Sequence, residues 1–137
     1  MKKYRIGYTS GVYDMFHVGH LNLLRNAKSY CDRLVVGVST DELVKSYKNK
    51  IPVISHKDRM DIVSAIRYVD SVVPQVDMDK LASVRSVHAD VVFVGSDWKG
   101  TSKWNEIEEL LKTNGIDVIY LPYTNGISST VNPIWTI

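Results

Sequence analysis

Cysteine is nearly absent from the 137-residue chain, where Cys31 is the single one. No intrachain disulfide can form, so a reducing interior is the expected home and the cytoplasm the expected compartment. Long apolar runs are missing too. Nothing approaches the ~20 consecutive apolar residues that cross a bilayer, and no apolar stretch follows Lys2 and Lys3 as a secretory signal would require. Charge of one sign is scarce: 17 Lys and Arg against 15 Asp and Glu leave a formal +2. That bias is too small to argue for nucleic acid or a membrane surface as partner. Repeats, low-complexity tracts and linkers are also lacking. With 45% apolar and 23% charged residues, the composition is that of one globular domain spanning 1–137.

Strand and helix patterns alternate along this length. Strands are expected at 4–11, 33–40, 71–76 and 116–123, with a further strand running into a Gly-containing loop over 90–98. Helices are expected at 21–30, 56–69, 81–88 and 102–115. Leu21, Leu24 and Ala27 recur at helical spacing in the first helix, and Met60, Ile62, Val63 and Ile66 line one side of the second. Pro74 marks the third strand as an edge or an early end. Strands joined through helices pair in parallel by right-handed crossovers. The expected fold is an α/β domain, a doubly wound (Rossmann-like) parallel sheet of five strands. Ligands bind such sheets beyond the carboxyl ends of the strands. Four unusual segments lie there: 11–20, 40–50, 95–101 and 122–130.

The first of them holds His17 and His20 with Gly19 between, at a strand-to-helix junction. Free N–H groups and the dipole at a helix start favour anions, and Gly19 lets a ligand approach the backbone. Two imidazoles there can grip a phosphate. Zinc fits less well, because helical pairs prefer i, i+4 spacing and no third ligand stands near. The plainest alternative is that His17 caps the helix and His20 packs within it.

HxGH after a first strand resembles the signature of the small α/β nucleotidyltransferases. Within that family the chain is similar to the cytidylyltransferase branch, and to its glycerol-3-phosphate cytidylyltransferases in particular. The motifs follow in order: GVYDMFHVGHLNLLRNAK (11–28), VVGVSTDE (35–42), RYVDSVVP (67–74), VGSDWKG (94–100) and TNGISST (124–130). The resemblance implies attack by an alcohol phosphate on the α-phosphorus of CTP, assisted by Mg²⁺, with pyrophosphate leaving. The default acceptor is glycerol 3-phosphate, giving CDP-glycerol for a teichoic-acid-like or capsular polymer. Another alcohol phosphate, adenylyl transfer from ATP, or a nucleotide-binding module without turnover remain as alternatives. A homodimer is implied as well.

The same resemblance distributes roles. His17 and His20 would act on the α-phosphate, with Lys48 and Lys50 reaching the substrate phosphates from a mobile loop. Arg59, on the second helix, would bind substrate phosphate. Arg67 is expected on the same helix face, serving the nucleotide and held by Asp70. Gly11, Val12, Tyr13, Asp14 and Gly19 would line the nucleotide, Asp14 also being a possible Mg²⁺ contact through water or an ordinary helix-start turn residue. No tight protein metal site is expected. Gly95, Asp97 and Trp98 would meet ribose or base, although Ser96 stands where relatives carry an acid. Thr124, Gly126, Ile127, Ser128, Ser129 and Thr130 would cradle the triphosphate. Tyr123 is expected at the nucleotide too, able to hydrogen-bond phosphate without bringing charge, and departs from the motif in that relatives place an arginine there.

Overall fold

The computed structural model describes residues 3–122. Five parallel strands form one sheet in the order β3-β2-β1-β4-β5. They are β1 (Tyr4–Gly11), β2 (Cys31–Ser39), β3 (Ser71–Gln75), β4 (Val91–Gly95) and β5 (Asp117–Leu121). The helices between them are α1 (Val18–Lys28), α2 (Asp41–Lys48), α3 (His56–Ser64), α4 (Lys80–Ser86) and α5 (Ser102–Thr113). The sheet grows outward from β1 in both directions. Right-handed crossovers then place α1 and α3 on one face and α4 and α5 on the other. Among the described residues no helix is long and apolar enough to cross a membrane.

Period-2 alternation along the strands feeds two cores, one on each side of the sheet. Leu34, Val36 and Val38 of β2 join Phe93, Leu24, Ala27 and Val63 on the α1/α3 face. Tyr8, Val35, Val92 and Val94 meet Val84, Trp104 and Leu111 on the α4/α5 face. The central strand must be thin where these cores are thick. A Cβ on Gly7 would stand 2.4 Å from the Phe93 ring and 2.9 Å from Cys31 Sγ.

Three differences from the sequence expectation bear on the site. The segment 40–50 is largely helix α2, capped by Thr40, whose side chain accepts from the Leu43 N–H. Lys48 therefore closes a helix, and only Lys50 lies in the following loop. Helix α3 ends at Ser64 rather than at 69, because the chain tightens into i→i−3 bonds, Ala65 to Ile62, Ile66 to Val63 and Val69 to Ile66. Arg59 and Arg67 consequently share no helix face. The segment 90–98, expected as a strand running into a Gly-containing loop, is strand to Gly95 and then a single 3₁₀ turn, Ser96–Trp98. Pro74 does sit in an edge strand, β3.

Gly7→Ala tests the tight centre of the sheet. Overpacking against the immobile Phe93 ring is expected to cost ~1–3 kcal/mol. A urea titration should show a lowered midpoint with an unchanged slope, and an unchanged midpoint would refute the close packing.

Candidate active site

The chain reverses order at β1: β2 and β3 extend one way, β4 and β5 the other. Such a switch leaves a crevice at the carboxyl ends of the strands. The β1–α1 connection enters it through two non-glycine residues with left-handed backbone, Tyr13 (φ 55°) and Met15 (φ 48°). Backbone of that kind costs of order 1–3 kcal/mol per residue and persists only where surroundings hold it. Tyr13 is held by burial, with its ring folded back over Gly11, where any Cβ would lie 3.1 Å from it.

Helix α1 then opens with a reciprocal cap made by the two histidines. His17 is the N-cap, and its Nδ1 accepts the Gly19 N–H at 3.0 Å. His20 Nδ1 accepts the His17 N–H at 3.2 Å. This is a capping box built from imidazoles instead of Ser and Glu. The rings stack, with centroids 3.9 Å apart and planes 24° from parallel. Tyr13 meets the His20 ring edge-on at 5.4 Å, and Phe16 lies against it at 5.2 Å.

The caps decide the tautomers. A ring that accepts a backbone N–H at Nδ1 carries its own proton on Nε2. Protonating Nδ1 would break a cap, and burial opposes the charge as well. Desolvation, with His17 as a second cause, drops His20 to about 4, against an opposing pull from Asp14. Burial lowers His17 too. At neutral pH the pair is therefore two neutral Nε2–H donors at a helix start. The plain capping role and the phosphate-binding role are compatible, since they use different ring nitrogens.

The remaining expected residues divide into groups. Asp14 takes the Val53 N–H at 2.8 Å and the Ile54 N–H at 2.9 Å, one on each carboxylate oxygen. It fastens the histidine loop to the segment before α3. Lys48 is depressed by desolvation and by Lys50, and raised by Asp14, so these three charges share one neighbourhood. Gly95 ends β4 and Asp97 and Trp98 follow it, at the carboxyl end of the sheet, with Trp98 44% exposed. Tyr123, Thr124, Gly126, Ile127, Ser128, Ser129 and Thr130 lie outside the described residues.

Two arginines are corrected. Arg59 is fully buried, and its guanidinium donates to protein acceptors rather than to a substrate phosphate. Arg67 is exposed beside the Tyr68 ring, 5.7 Å from its centroid. It precedes Asp70, whose N–H bonds the Leu34 carbonyl near the start of β2. Five residues of strand separate Leu34 from Ser39, roughly 17 Å at ~3.3 Å each, so Arg67 is not brought to the histidines. Asp70 does not hold Arg67 either: it pairs with Lys28 at 2.7 Å and accepts the Leu34 N–H.

One residue escaped the sequence reading. Lys80, in the first turn of α4, donates to Ser10 Oγ at 2.6 Å, at the carboxyl end of β1. Its ammonium lies 5.9 Å from the centre of the Trp104 ring. Burial, aided by Lys103, brings it to about 8. Among the described residues it forms no salt bridge to a carboxylate. A lysine following an aspartate at a helix start was the available signal, but it reads as surface charge until the topology places it. Among the described residues no three His, Cys, Asp or Glu side chains come together as a metal shell.

The neutral state of His20 sets a pH dependence. Its folded value lies below the unfolded one, so the unfolded chain binds more protons between about 4 and 6.5. Stability contributed by this group is present above pH 6.5, falls as pH falls through that window, and is gone below it. The full contribution is ~3 kcal/mol. Urea midpoints at pH 7.5 and 4.5 should converge between wild type and His20→Asn as the pH drops. A constant difference would show that His20 is not held neutral.

Comparison with known proteins bears on the family and the fold. The cytidylyltransferase-like family model matches residues 8–131. The chain is 38% identical over 123 residues to the glycerol-3-phosphate cytidylyltransferase of Bacillus spizizenii, covering 89% of each. It is 37% identical over 128 residues to the FAD synthase of Thermococcus kodakarensis, covering 89% of this chain and 82% of that one. Among solved structures, the lipopolysaccharide core biosynthesis protein of Thermoplasma volcanium superposes with a TM-score of 0.74 at 26% identity, over 88% of this chain and 97% of that one. This chain belongs to the cytidylyltransferase-like family.

Proposed function

We propose that this protein is a cytoplasmic enzyme transferring a cytidylyl group from CTP to glycerol 3-phosphate. The observation that carries the reading is the imidazole capping box, which fixes two neutral Nε2–H donors at the start of α1. A phosphate oxygen of the acceptor attacks the α-phosphorus. The bond from that phosphorus to the bridging oxygen of the β-phosphate breaks, and pyrophosphate leaves with the electron pair. The new phosphorus–oxygen bond gives CDP-glycerol, with no covalent bond to the protein. Negative charge on the α-phosphate oxygens is met by donors already oriented, which costs no reorganisation at the moment of reaction. The histidines hydrogen-bond; they do not deliver protons.

Cationic charge comes from lysines. Lys48 and Lys50 screen the meeting of two anions. Lys80 remains mostly protonated at neutral pH with its value near 8, and a half-buried ammonium with no carboxylate partner among the described residues is a natural seat for the acceptor phosphate. Magnesium enters with CTP as part of the substrate. Asp14 uses both carboxylate oxygens as a loop clamp, which is a poor fit to a direct metal ligand, and no step is routed through a protein-held ion. The acceptor and the base rest on relatives: those named glycerol-3-phosphate cytidylyltransferase favour CTP and glycerol 3-phosphate. The FAD synthases among the relatives support the second reading, adenylyl transfer from ATP. CDP-glycerol would feed a teichoic-acid-like or capsular polymer.

Pyrophosphate release from CTP, Mg²⁺ and glycerol 3-phosphate is the direct assay, run beside ATP and a panel of polyol phosphates that includes glycerol 2-phosphate. His17→Ala and His20→Ala should each lower kcat by about 10²–10³ with little change in KM. Activity confined to ATP would select the second reading, and no turnover with any pair would leave only nucleotide binding. Lys80→Met should raise KM for the acceptor by about 10-fold or more, leaving KM for CTP nearly unchanged. A rise in the CTP value instead would remove Lys80 from the acceptor site.

A further inference from the structure

A charged side chain at zero exposure has to be explained. Arg59 is the largest fully buried side chain in the described structure, and burying a guanidinium is costly unless its donors are satisfied. Four of its five N–H donors are met by different parts of the chain. Nε donates to the Ile54 carbonyl at 2.9 Å. One terminal nitrogen donates to the Val12 and Ser39 carbonyls, each at 2.7 Å. The other donates to Asp41 Oδ1 at 2.5 Å.

These acceptors are not a random set. Val12 opens the loop that carries the histidines. Ser39 ends β2. Asp41 starts α2, the helix that Lys48 closes. Ile54 belongs to the segment whose N–H groups are gripped by Asp14. Arg59 and Asp14 therefore cross-brace the same two strips, residues 12–14 and 53–54, one by donating to carbonyls and the other by accepting from amides. Asp41 extends the brace to the lysine-bearing helix, and its second oxygen accepts the His56 N–H at 3.3 Å. Only a planar fork with several fixed donors can meet carbonyls in these directions together.

We propose that Arg59 is a positioning residue that sets the placement of Lys48 and Lys50 relative to His17 and His20. It touches no substrate. It acts through Asp41 and the Val12 carbonyl, so that the lysine arm and the histidine loop move as one body. The inference rests on the reading that these four residues act on substrate phosphates, but the brace itself can be tested without any substrate.

Arg59→Lys keeps the buried charge and loses the fork. Amide hydrogen exchange is expected to quicken by roughly tenfold or more at Val53, Ile54 and through α2, while Val92 and Val94 in β4 keep their protection. Uniform loss of protection, or none, would overturn the brace. In turnover, Arg59→Lys should lower kcat/KM by about 100-fold, the size of effect that an ångström of misplacement produces. In a Lys48→Ala/Lys50→Ala background the same change should cost less than about threefold, because nothing remains to be positioned. Equal losses in both backgrounds would sink the positioning role. Should Arg59→Lys fail to fold, Asp41→Asn cuts the link to α2 alone and is held to the same two outcomes. Wild-type protein that turns over no substrate would dispose of the proposed function, and the exchange result would still decide on the brace.

Discussion

Two backbone N–H groups at the start of α1 fix the chemistry of the site. Any helix leaves its first amides unsatisfied, and here the acceptors are the Nδ1 atoms of His17 and His20. That choice removes a degree of freedom from each ring and determines where its proton resides. It also opposes protonation, because a second proton on either ring would cost a cap. Stacking of the two rings and the packing of Tyr13 and Phe16 around His20 reinforce the effect by withdrawing the pair from water. A local demand of helix geometry thus yields a fixed pair of neutral donors.

The sheet gives that pair its neighbours. Parallel pairing puts every carboxyl end on one side, so loops far apart in sequence converge there. Thin positions in the strands make the convergence possible. Gly7 admits the Phe93 ring on one face, and Gly37 admits the Tyr8 hydroxyl on the other, 2.2 Å from where a Cβ would stand. Tyr8 and Ser10 belong to the same face of β1, and Lys80 reaches Ser10 from that side. The histidine loop approaches the end of β1 from the face of α1. In the proposed reaction the phosphates would accordingly meet charge supplied from both faces of one sheet.

Much of this was legible in the sequence, and the failures share a cause. Alternating apolar runs gave the strand and helix order, because period-2 and period-3.6 patterns are local properties. The HxGH spacing located the histidines at a junction for the same reason. Helix α2 was missed because three lysines and an asparagine near its end read as loop, although Thr40 followed by Asp41 and Glu42 was a start signal. Arg59 was misassigned because a single arginine on an amphipathic helix normally faces water. Its acceptors at Val12 and Ser39 are 47 and 20 residues away, and no local pattern announces a long-range bond. Asp70 failed likewise: the neighbouring Arg67 looked like its partner, and the true one is Lys28, 42 residues earlier.

The distribution of charge follows from these constraints. Donors that must stay neutral cannot also balance the anions of two substrates. Residues that balance anions need mobility or reach, which helix caps do not have. In the proposed reaction the tasks are separate, with histidines anchored in backbone hydrogen bonds and lysines on longer stems at the ends of α2 and α4. Arg59, wholly buried, is consumed in holding those parts together. A cation can bind substrate or bind the scaffold, but four internal bonds leave it little capacity for both.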